Sequence, residues 1–203
     1  MRCRHLGLWL LLAALAGCAT VPEAPPDATI VQSAWAVRQQ QLGAVQGFEL
    51  NGRVAVKGGG LSGALRWEQD GENFKLRIAG PFGAGALSMQ GTPALVAIKG
   101  KDIDLVTDNP QQVLAERSGW RLPLDALRWW VLGLPAPAPA EAARIALDAE
   151  GRATQMQQGD WLLRYSDYKI GDDPAAPSLP GRIEAVQGEW TATVVLEAIR
   201  LTP

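Results

Sequence analysis

The run FELNGRVAVK, residues 48–57, sets Phe48, Leu50, Val54 and Val56 at alternate positions, with Glu49, Asn51, Arg53 and Lys57 among the residues between them. Successive side chains of a strand point to opposite faces, so this period of two describes a strand with one face on a core and the other in water. The same alternation returns in LSGALRWEQ (61–69), NFKLRIAG (73–80), GALSMQG (85–91) and LVAIKG (95–100), each bounded by glycine-rich breaks. Apolar-in, polar-out runs separated only by turns predict consecutive antiparallel strands. Gly58-Gly59-Gly60 supplies positive-φ positions for one of those turns. No Lys-Ser or Lys-Thr pair follows it and no helix opens there, which excludes a phosphate loop.

Outward from this block the period changes. A further strand, roughly IDLVT (103–107), precedes a helix from about Pro110 to Ser118 and a second from about Leu124 to Leu132. Strands then resume in ARIALDAEG (143–151), ATQMQQ (153–158), WLLRYSDY (161–168), GRIEAVQG (181–188) and TATVVLEAIRLT (191–202). On the amino-terminal side, Ile30, Ala34, Val37, Gln41 and Val45, with Trp35 alongside, predict a helix over 29–46. Strands, two central helices and strands again, with a helix in front, describe a mainly β, α+β domain: one antiparallel sheet curved around helices.

The second central helix is unusual. In RLPLDALRWWVLGLPAPAPA (121–140), Leu124, Leu127 and Val131 form one stripe with Trp130 beside it, while Trp129 and Leu132 project on the other side with Asp125 and Arg128. Such a helix needs apolar cover on both sides, either inside a core or beside a cavity that holds something apolar. Gly133 suits its carboxy-terminal cap, and the Pro-Ala run at 135–140 ends it.

The amino terminus is an export leader. In MRCRHLGLWLLLAALAGC (1–18), Arg2 and Arg4 precede an apolar segment too short to span a bilayer stably as a membrane helix. Its end, Leu15-Ala16-Gly17-Cys18, resembles the bacterial lipobox, in which the cysteine is diacylated and the chain is cut before it. The organisation expected is a cleaved leader (1–17), lipidated Cys18 with a small, proline-rich tether (18–28), and one folded domain (29–203). A three-chain lipid group anchors a protein essentially permanently. Residue 19 is Ala, and in lipoproteins of this type the absence of an aspartate there implies the outer membrane, facing the periplasm.

Several function classes drop out. Of the two cysteines, Cys3 leaves with the leader and Cys18 is consumed by lipid, and the single histidine, His5, also leaves. The mature chain therefore holds no Ser-His-Asp triad, Cys-His pair or His-based zinc site. Asp70/Glu72, Asp102/Asp104 and Asp172/Asp173 lie in turn-like or strand-edge settings that suit solvated charge. No catalytic residue, metal ligand or cofactor is expected. Without Arg2 and Arg4 the chain has 17 basic and 21 acidic residues, a net charge of −4, which argues against a nucleic-acid partner.

The aromatic content points elsewhere. Eight tryptophans stand against three phenylalanines and two tyrosines, and only Trp9 belongs to the leader. Seven large rings in one domain make a wide apolar interior, which would suit acyl chains. Phe82, in AGPFGAGAL (79–87), sits between glycines and prolines in the connection between two strands, where it either folds back on the sheet or points into solvent toward a membrane.

Taken together, the lipobox, LNGRVAV (50–56), LRWEQ (65–69), the GPFG turn (80–83), GWRLPLDALRWWVLGLP (119–135) and WLLRYSDY (161–168) resemble the outer-membrane lipoprotein receptor family LolB of the Gram-negative lipoprotein-sorting pathway. The resemblance implies an incomplete, strongly curved antiparallel β-barrel closed by helices around a hydrophobic cavity. It implies a non-enzymatic, monomeric receptor that accepts acylated lipoproteins from the periplasmic carrier LolA and inserts them into the inner leaflet of the outer membrane, with phospholipid as the acceptor surface. Carried over by position, the protruding residue needed for insertion falls on Phe82, where the family often has leucine. Trp35, Trp67, Trp130 and Trp161 match tryptophans of the cavity region, and Leu127 of the central helix joins them. The alternative is a lipid-anchored structural or assembly lipoprotein with a solid core and no ligand.

Overall fold

A helix over Ala28–Gly43 (α1) precedes six strands: Gly47–Lys57 (β1), Ser62–Asp70 (β2), Asn73–Ala79 (β3), Leu87–Thr92 (β4), Leu95–Gly100 (β5) and Ile103–Thr107 (β6). Two helices follow, Pro110–Ser118 (α2) and Leu124–Trp130 (α3). Five more strands complete the order: Arg144–Leu147 (β7), Ala153–Gln158 (β8), Trp161–Ser166 (β9), Arg182–Gln187 (β10) and Trp190–Thr202 (β11). The computed structural model describes residues 27–57, 61–118, 122–170 and 176–202. The leader, Cys18, the tether as far as residue 26, the Gly58-Gly59-Gly60 turn, Trp120 and the Asp172/Asp173 pair lie outside the described residues. Among the described residues no helix is long and apolar enough to cross a membrane.

The eleven strands among the described residues lie in one antiparallel sheet of order β6-β5-β4-β3-β2-β1-β11-β10-β9-β8-β7. The expected incomplete barrel is thus an open, curved sheet whose edges, β6 and β7, remain apart. Each half of the chain is a meander, and a single non-sequential pairing joins the two. That pairing sets β1 against β11, from Gly47 opposite Thr202 to Lys57 opposite Thr191. Helices α2 and α3 belong to the connection from one edge of the sheet to the other, which is why they fall in the middle of the chain.

Alternation in the strands builds one apolar face. Along β1 the buried Phe48, Leu50 and Val54 alternate with exposed Glu49, Asn51 and Arg53, and β3 buries Phe74, Leu76 and Ile78 in the same way. Trp35 and Leu42 of α1, Leu114 of α2, and Leu124, Ala126 and Trp130 of α3 complete a single core cluster with that face. Edge-on packing of Phe48 and Trp67, with ring centroids 5.1 Å apart, lies within it.

Helix α1 starts one residue earlier than its periodicity indicated, because Asp27 caps it, its Oδ1 accepting a hydrogen bond from the Thr29 backbone N–H at 2.7 Å, and it ends at Gly43, three residues short of the expected 46. The helix is locked down by an unusual polar contact. Arg38 is buried and donates from Nη2 to the Ser178 carbonyl, while its guanidinium lies 5.2 Å from the centroid of the Tyr168 ring. Arg152, ion-paired with Asp148 at 2.7 Å, approaches the same ring at 5.0 Å. Tyr168 in turn donates its hydroxyl to the Ala153 carbonyl at 2.7 Å. Burial pushes the Tyr168 phenol up and the Arg38 guanidinium down, so the ring stays neutral and serves as a π surface for cations.

The β1–β11 seam carries one irregularity, between Asn51 and Gly52, where the register skips Glu197. A Cβ on Gly52 would stand 2.3 Å from the Val195 carbonyl oxygen, so the bulge admits glycine alone. Gly52→Ala is expected to cost about 2–3 kcal/mol in urea unfolding as the seam is forced apart. Gly43→Ala, at a helical position with nothing within 4 Å, should be neutral or slightly stabilising in the same measurement.

Candidate functional site

Two features flank β3: a turn at one end presents an exposed apolar ring, and a cleft at the other is walled by core side chains together with half-buried Leu127 and Trp129. The turn follows β3, with Pro81–Gly83 forming one 3-10 turn. Gly83 donates to the Gly80 carbonyl at 3.0 Å, Ala84 to Pro81 at 3.1 Å, and Gly80 to Ala84 at 2.9 Å. Within this frame Phe82 adopts φ 56° and ψ 22°, the left-handed region that costs a side-chain-bearing residue about 1–2 kcal/mol. Its relative exposure is 110%, so the ring neither folds back on the sheet nor touches a local neighbour that covers it. Gly83 and Gly85 follow at φ 82° and 60°, values that a β-carbon would strain. The turn therefore holds the ring out rather than leaving it loose.

The cleft lies between α3, the Ala136–Pro139 segment and the β2–β3 turn region. Trp67, Phe74, Leu76, Leu124, Leu127 and Trp129 supply its apolar wall, Pro137–Pro139 close one side, and Glu72, Asp125 and Arg128 stand at its rim. Its volume is about 260 Å³. Sites that enclose drug-sized ligands run from roughly 300 to 1,000 Å³, so a long acyl chain requires the wall to yield. The apolar circumference of α3 now has a structural basis. Ala126 and Trp130 are buried in the core and buried Leu124 lies where core and cleft wall meet, while Leu127 and Trp129, both half-buried, border the cleft.

Helix α3 ends two residues earlier than its sequence pattern indicated. Gly133, at φ 76°, donates to the Trp130 carbonyl at 3.0 Å and Leu134 donates to Trp129 at 3.0 Å, the paired bonds of a Schellman cap. Two side chains then fix the helix. Arg128 donates to the Gly71 carbonyl at 2.6 Å and to Val45 at 3.4 Å, and its guanidinium lies 4.9 Å from the Trp129 ring. Buried Gln158 of β8 uses its whole amide: Oε1 accepts from Trp130 Nε1 at 2.8 Å and from the Ala136 N–H at 3.0 Å, and Nε2 donates to the Ala136 and Glu141 carbonyls at 2.9 and 2.8 Å.

Of the residues singled out in the sequence, Trp67 and Leu127 border this cleft. Trp35 is buried in α1 against the Gly151 turn, where a Cβ on the glycine would stand 2.7 Å from the Trp35 nitrogen. Trp130 and half-buried Trp161 pack together at 5.7 Å, apart from the cleft lining. Phe74, Leu76 and Pro137–Pro139 line the cleft without having been singled out. Leu76 is there because it is register partner to Trp67, and pairing of that kind leaves no mark in one strand's own sequence. Phe82 and the cleft are separated by the length of β3, seven residues or about 20 Å.

The family model described as "Outer membrane lipoprotein LolB" matches residues 46–201. A protein of Nitrosococcus oceani named outer-membrane lipoprotein LolB is 35% identical over 184 residues, covering 89% of this chain and 89% of that one. One of the same name from Chromohalobacter salexigens is 34% identical over 193 residues, covering 94% and 86%. Among solved structures, a LolA superfamily protein from Nitrosomonas europaea superposes with TM-score 0.50 at 10% identity, covering 86% of this chain and 94% of that one, a likeness of fold.

Gln158→Leu leaves the Trp130 indole N–H and the Ala136 N–H and carbonyl buried without the Gln158 partner. A loss of about 3 kcal/mol in unfolding free energy, seen as a lowered urea midpoint with unchanged slope, is the expected outcome.

Proposed function

The chain belongs to the outer-membrane lipoprotein LolB family, and from that premise we propose that it takes acylated lipoproteins from the periplasmic carrier LolA, shelters their acyl chains in the cleft beside α3 and delivers them into the inner leaflet of the outer membrane. The family is one of lipoprotein-transport receptors and not of enzymes. The observation that carries delivery is Phe82: its ring is fully exposed at φ 56° on a hydrogen-bonded turn. An apolar ring held out in a costly backbone conformation has no packing role, and a solid-core structural lipoprotein has no use for one.

No bond is made or broken. Acyl chains free in water would cost about 0.8 kcal/mol per methylene, so cargo passes from one sheltered site to the next. The direction comes from differential affinity, with this cleft holding the chains better than the carrier and the bilayer better still. Leu127, Trp129 and Trp67 form the wall that must open for entry. Lipidated Cys18 and the short tether keep the domain within reach of the acceptor membrane and raise its effective concentration there.

The test is transfer from a carrier loaded with a purified acylated lipoprotein to the mature chain carrying Cys18→Ser. Cargo should move across, and Phe82→Glu should accept it normally yet lose at least tenfold in delivery to liposomes. Retention of all cargo by a carrier that releases to an authentic receptor would overturn the reading in favour of a solid-core structural role.

A further inference from the structure

The outer face of β2 and β3 contains a pairing that folding alone disfavours. Arg66 lies directly opposite Arg77 in the antiparallel register, and both are exposed, while the flanking pairs Leu65–Ile78 and Trp67–Leu76 are buried. Directly opposed residues have β-carbons about 4.5–5.5 Å apart, and like charges there repel. The next residues along the same row, Asn51 on β1 and Ser88 on β4, carry no charge. Each neighbouring carboxylate is engaged elsewhere: Glu68 with Lys75 at 3.2 Å, Glu49 with Arg200 at 3.3 Å, and Glu197 with Arg53 at 2.8 Å. Among the described residues, Arg66 and Arg77 have no acidic partner, on a chain that is acidic overall.

What lies between this pair and Phe82 is equally specific. A shallow outer groove of about 510 Å³ is lined by Ala55, Gly63, Ala64, Ala79, Pro81 and Val195, with Arg53 at its edge. Along β3, at about 3.3 Å per residue, Ala79 stands roughly 7 Å and Pro81 roughly 13 Å from Arg77. From the tip inward the order is an exposed aromatic ring, small apolar residues, then arginines. A phospholipid leaflet presents acyl chains and then a polar zone, about 5–8 Å thick, that carries the phosphates, so β3 lies inclined to the membrane when ring and guanidinium groups engage it together.

We propose that the outer face of β2–β3 is a phospholipid-docking surface in which Arg66 and Arg77 bind headgroup phosphates, fixing how deeply and at what angle Phe82 enters the leaflet. The bidentate geometry of guanidinium toward phosphate suits the pair to that role, and a bound phosphate between them removes the repulsion that the fold leaves unrelieved. The surface rests on the delivery reading for its purpose and on its own residues for its chemistry.

The test measures co-sedimentation of the mature Cys18→Ser chain with vesicles of phosphatidylcholine alone or with added phosphatidylglycerol, at low and high salt. The parent protein should bind the anionic vesicles more tightly, with the excess removed by salt. R66Q/R77Q should lose that excess, on the order of tenfold, while melting at or above the parent temperature, because a like-charge contact has been removed. R144Q/R164Q, with the same change in charge four or more strands away, should retain it. Equal binding by R66Q/R77Q and parent, or equal loss in both double variants, overturns the proposal. Cargo transfer from the carrier without vesicles is measured in parallel. Normal acceptance by R66Q/R77Q supports the proposal, whereas failed acceptance with unchanged vesicle binding overturns it and assigns the pair to a protein partner. Absence of transfer to the parent itself, with the vesicle pattern intact, overturns the delivery reading and leaves the docking surface standing.

Discussion

The pairing of β1 with β11 is the constraint on which the rest of this molecule depends. Without it the chain would be two meanders, of six and five strands, each with an apolar face too narrow to cover itself. Joined along that seam they become one broad antiparallel sheet, open between its edges β6 and β7. The seam tolerates one extra residue, at Glu197, and the glycine at 52 is what lets the two backbones approach there. Every apolar group over the sheet, from Trp35 of α1 to Trp130 of α3, is buried only because this seam makes the face continuous.

The helices then face a conflict between closing the core and leaving a site. Helix α1 is fixed firmly, through Arg38 against Ser178 and Tyr168 and through the tight contact at Gly151. Helix α3 is only seven residues long and is held at defined points, by Gln158 behind it and Arg128 beside it. The arrangement satisfies its buried polar groups while leaving Leu127 and Trp129 against open space. An apolar wall that is anchored by a few directional bonds, rather than by packing from all sides, can yield to a guest without loss of the fold.

Strand β3 joins the cleft to the exposed turn. Its first residues contribute Phe74 and Leu76 to the cleft, its outward face carries Arg77, and its end delivers the chain into the Phe82 turn. One strand thereby links a sheltered apolar site to an exposed apolar tip at a fixed separation, with rigidity supplied by neighbours on both sides. The strain at Phe82 belongs with this arrangement, since three backbone hydrogen bonds over-determine a turn that the side chain alone would not choose.

Much of this was legible in the chain. Periodicity of two marked the strands, Gly133 and the Pro-Ala run marked the end of α3, and the double-sided apolar pattern of that helix signalled a second apolar neighbour. The expected leader ending at Cys18, which lies outside the described residues, and the lack of His and Cys beyond it narrowed the functional classes to weigh. These are local properties, set by side-chain spacing and by residue chemistry. Tertiary structure decided what local spacing cannot carry: that the last strand pairs with the first, that Leu76 meets Trp67 where the core borders the cleft while Trp35, Trp130 and Trp161 lie away from the cleft lining, that Phe82 points outward, and that Arg66 and Arg77 stand face to face. For the strand pairings the physical reason is common, since each depends on register between segments that approach only after the sheet has formed, and a single strand's sequence specifies which face a residue occupies but not which residue lies opposite; Phe82 is turned outward by the hydrogen-bonded turn at Gly80–Ala84.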